Sequence, residues 1–307
     1  IAFLSASLVA RDDAHFKIGF FLENRTERTQ QVVNILLNVL KVRWGLHIYD
    51  ADPRELNKKV QKHGCDDVFE KLRQAIGWAV LLLADIGIRG PRALPYAAQL
   101  VAIAELARRL NSNGPDQHQY ATVNRWFWAT TYGEYFTGMP GNRIRDAIDA
   151  LCQAVIERSD PIPSDLVREV APIRTFNFRA TRSKALALHM TWRIADEQLR
   201  ERTQRALGEQ GVDAVHRLFA GRDAMCPENR IVALPEELQR MRTELTPRSG
   251  ILSLGNESRD PSAQREEMRG ARGQLLPEYL IPPDAPVAFD VLSGEIPAAV
   301  DRILTAR

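Results

Sequence analysis

Four cations, Arg174, Arg179, Arg182 and Lys184, crowd the stretch Arg174-Thr175-Phe176-Asn177-Phe178-Arg179-Ala180-Thr181-Arg182-Ser183-Lys184. The apolar run Ala185-Leu186-Ala187-Leu188 follows at once, so the cations stand where a helix begins. Free backbone N–H groups at a helix start favour an anion, and Arg and Lys add charge and oriented donors for phosphate. These four are the candidate nucleic-acid-binding residues. The competing reading is a solvated cationic surface, or arginines paired with nearby acids.

Trp126, Trp128, Tyr132 and Tyr135, with Arg125, Phe127 and Phe136, form the densest aromatic block of the chain. Aromatic faces beside an arginine can stack bases. At helical spacing Trp128, Tyr132 and Tyr135 equally make an inter-helix core, and that structural role is the expectation here.

Residues suited to catalysis are scattered. The histidines stand in no HExxH, HxH or HxE pattern. No GxSxG, Walker loop or GxGxxG is present. Cys65, Cys152 and Cys226 are far apart, without a CxxC or Cys/His cluster, which predicts reduced cytoplasmic thiols rather than a zinc site or a disulfide framework. Asp146 and Asp149 lie three apart and share a helix face. Arg143 and Arg145 share that helix, so a solvated ion-pair face outweighs a metal or acid–base pair. The residues therefore predict no catalytic site, no metal and no cofactor.

The elements that would position these residues are helical. The chain has 307 residues, 45% apolar and 26% charged, enough for a core in one large or two ordinary domains. A net charge of +2 means that any nucleic-acid contact must come from a local patch. No apolar run is long enough to span a bilayer, so no membrane partner is expected. Asp52-Pro53 with Glu55 marks a helix start. Val68, Phe69, Leu72, Ile76, Ala79, Val80 and Leu83 predict one face of a second helix, and Leu94 to Leu110 a third. Arg143 to Arg158 is predicted helical, with Ile144, Ile148, Leu151 and Val155 on its face. Thr181 to Leu218 reads as two helices parted near Gly208 to Val212.

Strand signals are scarce, the best being Asn229 to Leu234. The expected fold is mainly α, a multi-helix array of two helical lobes with minor strand content. Its parts are an N-terminal helical segment (1–50) continuing from an upstream domain, a helical domain (51–160) and a second lobe (166–307). SDPIPSD (Ser159 to Asp165) is the linker. Pro247 to Gly273, rich in Ser, Arg and Glu, reads as a flexible loop. The opening IAFLSASLVARDD lacks a signal peptide's basic start and reads as a piece of a longer chain.

Four segments, in order, resemble the region that follows the ParB-like domain in GmrSD-type restriction and anti-phage proteins. They are Ile86-Gly87-Ile88 to Leu94-Pro95-Tyr96, Arg125-Trp126-Phe127-Trp128 with Tyr135 and Gly138, Phe176 to Leu188, and Leu276 to Pro283. The likeness covers roughly residues 55 to 307. It implies a helical recognition or coupling segment, with DNA, an upstream ParB-like domain or a partner protein as its partner. The family's DGQQR-type motif, implicated in nucleotide hydrolysis, is not in the chain. Pro277-Glu278-Tyr279-Leu280-Ile281-Pro282 is similar to the core of a His-Asn-His nuclease module, with Tyr279 and Leu280 where histidine is needed. Without imidazole there is no general base and no metal ligand. Two other readings stay open: a structural helical scaffold that binds another protein, and a degenerate His-Asn-His-type nuclease.

Overall fold

The computed structural model describes residues 37–46, 48, 53–63, 65–110, 116–163, 166, 169–170, 173–219, 225–245, 261–275 and 287–288. Residues 37–43 are helical. The helices that follow are α1 (Pro53–His63), α2 (Cys65–Asp85), α3 (Ala97–Leu110), α4 (Gln117–Tyr132) and α5 (Gly141–Glu157). The second half carries α6 (Thr181–Trp192), α7 (Glu197–Gln210), α8 (Pro235–Leu245) and α9 (Pro261–Leu275). Four short strands, β1 (Glu169–Val170), β2 (Val215–Arg217), β3 (Arg230–Val232) and β4 (Val287–Ala288), and two 3-10 turns at Gly211–Ala214 and Pro227–Asn229 complete the described elements. They form two antiparallel pairs, β1–β4 and β2–β3. The fold is mainly α.

Local chemistry explains several of the boundaries. Helix α1 opens on Pro53 with Glu55 in its first turn and closes on Lys62 and His63, so both ends complement the helix dipole. A reciprocal capping box opens α4: the Asp116 carboxylate accepts from Gln119 N at 2.8 Å, and Gln119 Oε1 accepts from Asp116 N at 3.0 Å. On α5, Ile144, Ile148, Leu151 and Val155 are all buried, as their helical spacing requires. Strand β3 lies inside the predicted Asn229–Leu234 segment.

One hydrophobic cluster runs from Val39 to Met268, with helix packing of α2 on α3, α3 on α5 and α4 on α6. Gln99 is the polar pin between α3 and α4. Its Nε2 donates to Phe127 O at 3.1 Å and lies 3.0 and 2.9 Å from the Thr130 and Thr131 hydroxyls. A buried amide so satisfied fixes helix register without a desolvation penalty.

Across the 159–163 segment, Trp192 Nε1 donates to Ile86 O at 2.8 Å and Gly90 meets Gly208. Three differences from the sequence expectations stand out. The helix break after α6 lies at 193–196, where Asp196 caps α7 by accepting from Leu199 N at 2.7 Å. Val80, expected on the buried face of α2, is 48% exposed. Residues 261–275, inside the stretch read as a loop, form α9, whose Met268 and Arg272 are buried. Residues 1–36, 246–260 and the Leu276–Pro283 tail lie outside the described residues.

Candidate functional site

The segment 174–180 is held in place before α6 begins. Asn177 Oδ1 accepts from Arg179 N at 3.0 Å, and Asn177 N donates to Ser183 Oγ at 3.1 Å. Phe176 is buried, and its N–H donates to Met225 O at 2.6 Å. Phe178 is half-buried. The two rings anchor the segment, and the polar residues between and around them face outward.

The four candidate cations then divide into two kinds. Lys184 is half-buried: its ammonium donates to Leu94 O at 2.9 Å and stands 5.8 Å from the centre of the Phe178 ring. Burial holds its pKa below the ordinary lysine value. Arg182 Nη2 pairs with Glu134 at 3.3 Å, and Glu134 sits at φ +50° just beyond α4. These two tie α6 to the 86–96 loop and to the end of α4. Arg174 and Arg179 are exposed and carry no ion pair among the described residues.

A cation that sequence reasoning missed joins them. Arg92 is exposed, and its Nη1 donates to Gln210 O at 3.0 Å. Gly211, at φ +65°, is where Arg92 and Phe178 meet: a Cβ there would lie 3.1 Å from Arg92 Cδ and 3.5 Å from Phe178 Cε1. Only the packing of the 86–96 loop on α7 brings Arg92 to this surface, and its own neighbourhood in sequence carries no signal of it.

Three of the segments named above therefore meet at one place. Leu94 O receives Lys184, Tyr96 Oη lies 2.6 Å from Thr137 Oγ1, and Glu134 receives Arg182. The aromatic block is part of the core beneath. Trp126, Trp128 and Tyr132 are 1%, 1% and 4% exposed, so no base can reach their faces. Tyr135 is half-buried against Phe136, with ring centres 5.3 Å apart. The Tyr132 hydroxyl is hydrogen-bonded to the His189 ring, which lies 4.6 Å from Trp128. Burial pushes His189 down to about 3, a neutral imidazole sealed in the core.

Asp149 pairs with Arg109, whereas Asp146 is exposed and lines a cleft of about 480 Å³ with Arg143, Asp160 and Tyr135. The paired-carboxylate arrangement is thus dispersed. Burial raises the Cys152 thiol to about 12 and the Cys226 thiol to about 11, so neither supplies a thiolate nucleophile near neutral pH. Among the described residues no cluster of His, Cys, Asp and Glu could hold a metal ion, and no helix is long and apolar enough to cross a membrane. What the arrangement can do is offer to an anion, on a rigid base, guanidinium groups that have no ion pair among the described residues.

No family model, characterised protein or solved structure matches this chain.

Proposed function

We propose that this chain is a helical recognition or coupling segment without a catalytic site, of a GmrSD-like restriction or anti-phage protein, and that it contacts DNA through the phosphate backbone. The observation that carries the reading is the exposure of Arg92, Arg174 and Arg179, without acid partners among the described residues, around the rigid Phe176–Phe178 segment. Phosphate contacts of this kind supply affinity and orientation rather than sequence choice. Each one releases counterions, so affinity falls with salt by about 0.9 log unit per log unit of salt for duplex DNA. Titrating a labelled DNA duplex at several salt concentrations tests the reading. Binding with a slope that shrinks in the Arg174→Ala/Arg179→Ala variant is expected, and no salt-dependent binding would remove the proposal.

A protein-binding scaffold is the second reading. Val80 and Leu81, 48% and 70% exposed on the outer face of α2, favour it. Under that reading Leu81→Lys abolishes capture of the partner and leaves DNA titrations unchanged.

A further inference from the structure

Helix α1 carries Lys58, Lys59 and Lys62 and a single acid, Glu55, in a chain whose overall charge is only +2. Lys58 and Lys62 are both exposed. They lie four residues apart, which sets their Cβ atoms about 5–6 Å from each other on one face. Like charges so placed repel and weaken the helix. None of the three lysines has an ion pair among the described residues, although Glu55 is within about one turn of Lys58 and Lys59. The helix dipole accounts for Lys62 at the negative end of α1. Its field fades within the last turn, so it gives no reason for Lys58.

The segment before α1 brings another cation to the same place. The Trp44 and His63 rings are stacked, with centres 5.8 Å apart and planes 11° apart, which ties residues 37–46 to the last turn of α1. The Arg43 guanidinium carbon stands 5.8 Å from the centre of that Trp44 ring. Arg43 is thereby held at the end of α1 that bears Lys62 and His63, and it too has no ion pair among the described residues. On the opposite side of α1, Leu56 and Val60 are buried, and the helix packs on α2. An interfacial helix needs its apolar side for the lipid, and here that side is committed to the core. A fixed row of cations without apolar residues suits phosphates spaced along a strand. We propose that Arg43, Lys58 and Lys62 form a second contact surface for the phosphate backbone of a nucleic acid. The proposal rests on the nucleic-acid reading above and adds to it a surface in the first half of the chain, on elements that carry none of the 174–184 cations.

Lys58 and Lys62 are the residues to test, because both are exposed and neither packs in the core. A labelled DNA duplex is titrated at several salt concentrations against the full chain. Lys58→Gln/Lys62→Gln is expected to reduce the salt slope by about two units and to weaken binding to all sequences alike. Its thermal midpoint should stay at the wild-type value, because relief of the Lys58–Lys62 repulsion offsets the lost dipole interaction of Lys62. Lys58→Arg/Lys62→Arg keeps both charges and should keep the wild-type slope. A wild-type slope in the glutamine variant overturns the inference. If Arg174→Ala/Arg179→Ala still lowers the slope in that case, the broader reading survives alone. Vesicles containing phosphatidylserine are the second probe. A glutamine variant that loses vesicle binding and keeps its DNA slope assigns these lysines to a membrane surface and overturns the inference as well. Absence of DNA binding by the wild type overturns both readings.

Discussion

Gly90 and Gly208 meet backbone to backbone: a Cβ on Gly208 would lie 2.5 Å from Gly90 N, and one on Gly90 would lie 2.5 Å from the Gly208 carbonyl. Arg92 N donates to Gly208 O at 3.1 Å across the same crossing. This is how the 86–96 loop is pressed onto α7, and how Arg92 reaches Phe178. Neither glycine's partner atoms are flexible side-chain ends, so a methyl group has nowhere to go.

The crossing gives a prediction of sign. Ala is normally about 1 kcal/mol better than Gly within a helix. Gly208→Ala should nonetheless destabilise by about 2–3 kcal/mol, because overpacking against backbone outweighs propensity. Gly77, exposed in mid-α2 with nothing within 4 Å of its Cβ position, should behave in the ordinary way, and Gly77→Ala should stabilise by up to about 1 kcal/mol. Urea unfolding of the two variants reads the opposite signs directly. Equal shifts would mean that the Gly90–Gly208 contact is looser than described.

The contrast between these glycines shows what the sequence could carry. Local chemistry was legible: the Pro53 start of α1, the buried stripe of α5 and the β3 strand all follow from neighbouring residues. Long-range chemistry was not. Residues 261–275 read as a charged loop because Arg265, Glu266, Glu267 and Arg269 look solvated in sequence. In the fold Arg265 and Arg269 turn inward onto one buried carboxylate, Glu228. For the same reason Lys184 and Arg182 looked like surface cations, although their partners lie at Leu94 and Glu134. The cationic stretch was found from sequence, but Arg92 is brought to it only by packing.

Glu228 therefore governs α9. Arg265 grips it in bidentate fashion at 3.1 and 2.8 Å, Arg269 adds a bond at 2.8 Å, and Cys226 Sγ donates to it at 2.8 Å. Burial raises its pKa, but the bonds from Arg265, Cys226 and Arg269 outweigh that and hold it below 4.5. The sign follows: stability from this group is complete above pH 4.5 and is lost as pH falls through the lower folded value. Glu228→Ala should cost about 3–5 kcal/mol, because it removes the buried carboxylate that Arg265, Arg269 and Cys226 share. Amide exchange in 261–275 should rise before that of α3 or α5. Uniform acceleration along the chain would refute a separate role for this carboxylate in holding α9.

His189 acts in a different pH window. Its folded value, about 3, lies below the ordinary 6.5, so the unfolded chain takes up a proton that the core refuses. Stability is complete above pH 6.5 and falls by about 1.4 kcal/mol per pH unit below it, until the folded value is reached. Urea midpoints between pH 7.5 and 5 should show this slope, and His189→Gln should flatten it while losing some packing against Trp128. A slope unchanged in the variant would assign the acid sensitivity elsewhere.

The four cations of the 174–184 stretch should separate into two classes on substitution. Lys184→Ala removes a partly buried ammonium and leaves Leu94 O without its donor, so it should cost about 1–3 kcal/mol of stability. Arg182→Ala removes a half-exposed pair with Glu134 and should cost less, about 0.5–1 kcal/mol. Arg174→Ala and Arg179→Ala should leave the urea midpoint unchanged, since neither side chain has an ion pair among the described residues. In DNA titrations the order should reverse. Arg174→Ala and Arg179→Ala should each flatten the salt dependence by about one unit, and should weaken binding to all sequences alike. Lys184→Ala, once corrected for the fraction folded, should keep the wild-type slope, because its charge is committed to Leu94 and Phe178. A Lys184 variant that loses slope without losing stability would place that ammonium at the phosphate and undo the division drawn here.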